Sequence, residues 1–163
     1  MIRQIVPEEF CLACQGCCRF AQPETAWSPA LLEEDKQAFL KNNIPPLFIS
    51  ADNKIRLVYN QEQHNFVCPL LNLQDNKCKA YAFRPFECKL YPFLINRKAN
   101  KVFLGADLKC PFVKENMHKP LFKEYVQYLT ALFNNPDLRK TLKDNPQITQ
   151  AYEEVLDLVS LEK

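Results

Sequence analysis

Eight cysteines dominate the chemistry open to this 163-residue chain. Four fall in CLACQGCC, as Cys11, Cys14, Cys17 and Cys18, with the spacing C-x2-C-x2-C-C. Two-residue gaps let successive thiolates converge on one point, as in zinc knuckles and the ferredoxin run. Gly16 lets the backbone turn sharply beside the ligands. The neighbours Cys17 and Cys18 cannot both reach one centre without strain, so one of them serves a second metal, bridges, or stays unligated. Read that way, Cys14→Ser loses metal, while Cys18→Ser keeps it if Cys18 is the spare thiol.

The second group is Cys68, Cys78, Cys88 and Cys110, spaced C-x9-C-x9-C-x21-C. Cys68-Pro69-Leu70 and Cys110-Pro111-Phe112 share a Cys-Pro-apolar form, and proline after a cluster cysteine is familiar from the ferredoxin run. Basic residues adjoin several thiols, namely Arg19, Lys77, Lys79, Lys89 and Lys109. Cations beside a thiolate cluster offset its negative charge. All-cysteine ligation suits zinc and iron–sulfur clusters alike, so spacing leaves both open. The Cys-Pro pairs and the repeated two-residue gaps favour a four-iron four-sulfur (4Fe-4S) cluster; a zinc or iron ion is the alternative. His64 and His118 are substitute ligands in principle, but a polar turn and a loop favour solvated side chains.

These thiols need elements to carry them. Residues 1–27 read as loop and short helical turns. Ser28-Pro29 predicts an N-cap and first-turn proline for a helix over 29–41. KIRLVY (54–59) and HNFVC (64–68) predict a hairpin, as do LYPFLIN (90–96) and KVFLGAD (101–107) around a turn at 97–100. After residue 119 the apolar residues follow a helical period through Phe133. Asn135-Pro136 and Asn145-Pro146 predict a short helix and then a longer one to about 161, with Ile148, Ala151, Tyr152, Val155, Leu158 and Val159 as its stripe. The fold class is α+β: a small cysteine-rich metal-binding core (1–115) with short β-hairpins and helices, plus C-terminal helices (116–163) packed on it in one compact unit.

Composition excludes other chemistries. With only Gly16 and Gly105, the chain can write no Rossmann loop, Walker A loop or nucleophile elbow. A net charge of +2 without a basic run argues against a nucleic-acid partner. No apolar run approaches the roughly 18 residues of a membrane span. MIRQIVPEEF lacks an apolar signal-peptide segment, so a reducing cytoplasm is the expected compartment, and there thiols serve metals before disulfides.

CLACQGCC, then CPLLNLQDNKCKAYAFRPFECKLYPF, then a later CP, is similar to the cysteine-cluster (CxxCxxCC) family of zinc- or iron-chelating proteins, often described as iron–sulfur proteins. Cys11, Cys14, Cys17, Cys18, Cys68, Cys78, Tyr81, Arg84, Pro85, Cys88, Tyr91, Pro92 and Cys110 sit at matching positions. Ala80 and Ala82 are small departures. The resemblance implies metal ligation by the eight cysteines; electron transfer or redox chemistry with a protein redox or interaction partner is the use expected of an iron–sulfur cluster. A zinc-binding structural or interaction module, or a component of a methyltransferase-like system, is the alternative. The methyl transfer of a much longer relative does not carry over to a chain without a Gly-rich loop. Whether the chain is an enzyme is left open. Arg84 is a candidate cofactor-binding residue, through hydrogen bonds to cluster sulfur or to an anionic ligand; its structural alternative is an ion pair with Glu87. Tyr81 and Tyr91 are expected to pack around the site.

Overall fold

A computed structural model of the chain describes residues 2–14 and 16–161. The chain divides into two compact units: Val6–Lys89, and a second in which Leu90–Lys163 is joined by the Met1–Ile5 stretch. The architecture is α+β, with two small antiparallel sheets and helices in the C-terminal part.

In the Val6–Lys89 unit, α1 (Glu8–Cys14) leads to β1 (Arg19–Phe20), α2 (Glu33–Lys41), β2 (Val58–Asn60), β3 (Asn65–Val67) and α3 (Phe86–Leu90), which runs across the unit boundary. The sheet order is β1-β3-β2. Leu31, Phe39, Ile55, Val67, Cys68, Leu70, Leu71 and Ala80 are buried together, with Cys18, Cys78 and Phe83 packed against them. The cysteine loops therefore sit on the hydrophobic core.

The helix predicted over 29–41 starts later, at Glu33. The N–H groups ahead of it are engaged elsewhere: Ala30 donates to Glu87 Oε2 at 2.5 Å and Leu31 to the Asn53 carbonyl at 2.8 Å. Ser28, the expected cap, instead donates its hydroxyl to the Ile55 carbonyl. Asp35 takes over the capping, reaching back to the Leu32 N–H at 2.9 Å.

In the second unit, β4 (Phe93–Lys98) and β5 (Lys101–Asp107) form the predicted hairpin, and β6 (Val155–Ser160) adds to β5. Helices α4 (Pro111–Asn116), α5 (Pro120–Phe133) and α6 (Pro136–Asp144) lie between them in sequence. Phe122, Tyr125, Leu129 and Phe133 bury the predicted stripe of α5, and the Asn135 side chain caps α6 through the Asp137 and Leu138 N–H groups. The predicted final helix is not formed. Residues 146–148 make one 3-10 turn, and 155–160 are a strand. Val, Leu, Asp, Leu, Val satisfies a period of two as well as a helical stripe, and sheet pairing decides between them. Asp157 accepts from Asn96 Nδ2 at 2.8 Å and pairs with Lys98 at 3.2 Å, while the Tyr152 N–H donates to Asn96 Oδ1. Glu154, at φ 59°, breaks any helix between the two segments.

Candidate metal centre

Strand register brings the first pair of thiols together. Arg19 pairs with Val67 in the β1–β3 ladder, so the next positions outward are Cys18 and Cys68. The Cys68 N–H closes that step on the Cys18 carbonyl at 2.9 Å. Cys18 itself has φ 62°, a left-handed conformation that a residue with a Cβ adopts at a cost. It turns the doublet apart: Cys17 is exposed, whereas Cys18 packs inward against the core.

The Cys18 thiol donates a hydrogen bond to the Cys68 sulfur; that bond, then burial and the Cys68 charge, push the Cys18 thiol well above its usual value. Cys78 is held by an isolated bridge to Leu71 and by the Tyr81 N–H on its carbonyl at 3.1 Å. Burial raises its thiol, the nearby Cys18 adds to this, and the Ala80 N–H and the Arg84 guanidinium oppose it. Cys88, in α3, is pushed up well above its usual value by burial, then by Cys18 and Cys78. Cys18 thus lies near Cys68, Cys78 and Cys88, of which Cys68 is buried and the others half-buried.

The position of α3 is fixed by Asp35. Its two carboxylate oxygens accept from the Phe86 N–H at 3.2 Å each, while one also holds the Leu32 N–H. Burial pushes the Asp35 carboxyl up, and the Leu32 and Phe86 N–H groups and the Lys89 charge pull the other way. Asp35 carries no sequence motif; an acid three residues after Leu32 in a helix's first turn was its one signal.

Cys11 and Cys14 lie three apart on α1, hence on one face. Cys11 is exposed as a residue, yet loss of water around its sulfur raises the thiol, with Cys14 adding and Arg84 opposing. Gly16 makes a close approach: a Cβ there would stand 3.2 Å from Cys14 Sγ. Its φ is not positive: the turn beside the ligands falls on Cys17 and the left-handed Cys18, and Gly16 leaves room for the thiol. Asn76, at φ 58°, ties this segment to the second cysteine loop. It accepts from Arg19 Nη2 at 2.6 Å and donates from Nδ2 to the Leu12 carbonyl at 3.4 Å. Sequence reading passed over Asn76, although Asp75-Asn76 is a turn signal.

Arg84 stacks on the Tyr81 ring, 4.2 Å from its centroid. Among the described residues no carboxylate forms a salt bridge with it; Glu87, its expected alternative partner, holds the Ala30 N–H. Tyr91 does more than pack: it donates to the buried Asp107 carboxylate at 2.8 Å. Cys110 belongs to the second unit, where it is buried at the start of α4 and donates its N–H to the Asp107 carbonyl. Lys109 pairs with Glu154 at 2.7 Å. His64 and His118 are exposed; Tyr59 Oη lies 3.3 Å from the His64 ring. All eight cysteines are unbridged.

The donor set is soft and suits zinc or iron. Among the described residues, however, no three His, Cys, Asp or Glu side chains stand close enough to hold a single metal ion. The family model of CxxCxxCC, described as a putative zinc- or iron-chelating domain, matches residues 10–111. The chain belongs to this family. It is a member of a zinc- or iron-chelating family, and all eight cysteines fall inside the matched span. Comparison with curated proteins and comparison with solved structures each give no match.

Proposed function

We propose that this family member binds an iron–sulfur cluster, of the four-iron four-sulfur kind, through its clustered cysteines and uses it in electron transfer or redox chemistry. The observation that carries this reading is that Cys18, Cys68, Cys78 and Cys88 lie near one another in a chain that matches a zinc- or iron-chelating family. The repeated two-residue gaps and the Cys-Pro pairs, as in the ferredoxin run, favour a cluster over a single ion. Arg84, stacked on Tyr81 with its charge acting on Cys11 and Cys78, supplies a fixed cation to offset the thiolates or to hydrogen-bond a sulfur. The cytoplasm suits eight unbridged thiols, and a protein redox partner completes the reading.

One observation favours the zinc alternative. Cys18, Cys68 and Cys78 are part of the hydrophobic packing of their unit, as expected where the metal serves mainly to hold the fold. Among the described residues no helix is long and apolar enough to cross a membrane. Anaerobic purification followed by iron, zinc and acid-labile sulfide analysis, with electron paramagnetic resonance after reduction, tests the proposal. Iron and sulfide in equal amounts, with a reduced-cluster signal, are expected. A colourless protein with stoichiometric zinc refutes it.

A further inference from the structure

Two of the eight thiols are hydrogen-bonded to each other. In the β1–β3 ladder Arg19 pairs with Val67 and Phe20 with Phe66, so the next step sets Cys18 opposite Cys68. The Cys68 N–H on the Cys18 carbonyl, at 2.9 Å, keeps the two backbones paired there. Directly opposed residues of a hydrogen-bonded antiparallel pair stand about 5.5 Å apart at Cα, within the roughly 4.4–6.8 Å that a disulfide spans. The side chains meet as well: the Cys18 thiol donates to the Cys68 sulfur, and both residues pack in the same hydrophobic cluster. Among the described residues no three His, Cys, Asp or Glu side chains are placed to hold a metal ion, so this pair is closed where no metal-binding set is. Cys68 is buried; Cys18 is half-buried and follows the exposed Cys17, which puts it nearer to solvent.

We propose that Cys18 and Cys68 are a site of reversible oxidation: in the metal-free protein, hydrogen peroxide converts the pair to a disulfide that withdraws both sulfurs from metal binding. The withdrawal rests on the metal-binding reading; formation of the disulfide does not. The Cys18 sulfur, the more open of the two, attacks one peroxide oxygen. An S–O bond forms, the O–O bond breaks, and the thiol proton leaves with the departing oxygen as water. The Cys68 sulfur then attacks the sulfenic sulfur of Cys18. The S–S bond forms, the S–O bond breaks, and the Cys68 proton completes a second water. Two electrons pass from the sulfurs to peroxide, and a dithiol reductant reverses the change by exchange. A metal takes the thiolate, which neither sulfur can offer once it is bonded to the other. The bond also ties positions about 50 residues apart in the chain, which restricts the unfolded state and makes the oxidised form the more stable.

The full-length protein, freed of metal and kept from oxygen, is treated with an equimolar amount of hydrogen peroxide. The remaining thiols are then alkylated and the digest is mapped by mass spectrometry. A peptide linked through Cys18 and Cys68 should be the first disulfide to appear, with every other cysteine alkylated, and dithiothreitol should undo it. The oxidised chain should unfold at a higher urea concentration, and its uptake of zinc should be lost until reduction restores it. Because Cys18→Ser and Cys68→Ser alter the core, the mapping on unaltered protein carries the test, and the exposed Cys17→Ser variant should form the same link. A first disulfide between Cys11 and Cys14, a link through Cys17, or oxidation that stops short of any disulfide overturns the proposal and leaves the metal-binding reading standing. Zinc uptake unchanged in the oxidised chain likewise overturns the withdrawal of the two sulfurs. Failure of the fully reduced protein to take up zinc or iron defeats the metal-binding reading instead, while the linked peptide still supports the oxidation site.

Discussion

Asp35→Ala removes the acceptor shared by the starts of α2 and α3. The Leu32 N–H, 2.9 Å from the carboxylate, and the Phe86 N–H, 3.2 Å from both oxygens, lose their partner together. Stranding one buried donor costs about 1–3 kcal/mol. Leu32 is buried and Phe86 half-buried, so two such losses put the cost at about 2–4 kcal/mol of the metal-free protein's stability. Asp35→Asn keeps one side-chain oxygen and should cost roughly half as much. Urea denaturation of metal-free protein, followed by circular dichroism, measures both. Since α3 carries Cys88, the Ala variant should also weaken metal binding. A loss under about 0.5 kcal/mol for Asp35→Ala, within the scatter of ordinary surface changes, refutes the assignment of Asp35 as the clip between the two helices.

Metal affinity should rise with pH through neutrality. Cys18 and Cys88 are held well above the ordinary thiol value, so metal must displace their protons, and apparent affinity gains roughly tenfold per pH unit for each proton released. The metal-free fold has the opposite slope. Thiols raised in the folded state contribute stability that is complete below their unfolded pKa and is lost as pH climbs through the folded values. Competition titrations and denaturation between neutral and mildly alkaline pH check the two signs. Phe39→Ala, at a fully buried side chain edge-on to Phe83, should cost about 3–5 kcal/mol in the same denaturation assay. Gly16→Ala places a methyl 3.2 Å from Cys14 Sγ and should slow alkylation of Cys14 while leaving Cys68 unaffected. Leu156→Pro removes a ladder donor of β6, at its pair with Ala106, and should lower the protein's stability in the same denaturation assay, a loss an exposed C-terminal tail would not show.

What could be read from the residues was what local pattern determines. The stripe from Phe122 to Phe133 admits only a helix, and Asn135-Pro136 announces a cap that the Asn135 side chain makes. The stripe from Ile148 to Val159 is helical by its local spacing, and its outcome depends on Asn96 and β5, which lie 50 residues or so upstream in the chain. The thiols were legible as donors because cysteine type and spacing announce themselves. Their sorting was not, since it depends on the φ of Cys18 and on the β1–β3 register, neither of which the letters CC contain. Asp35 and Asn76 act through contacts made far along the chain, so their letters alone resemble ordinary surface residues.

The short stretch before Val6 belongs to the unit that is otherwise made of residues after Lys89. Arg3 lies over the Tyr128 ring, and its carbonyl accepts from the Tyr125 hydroxyl. In sequence, the cysteine-bearing segment therefore lies between the two stretches that make up the other unit. During synthesis, its seven thiols are all available before the first residues of the chain can meet α5, 125 positions from Arg3 to Tyr128. Domains generally assemble as their residues emerge. Metal capture in Val6–Lys89 can thus precede the joining of Arg3 to α5 in the other unit.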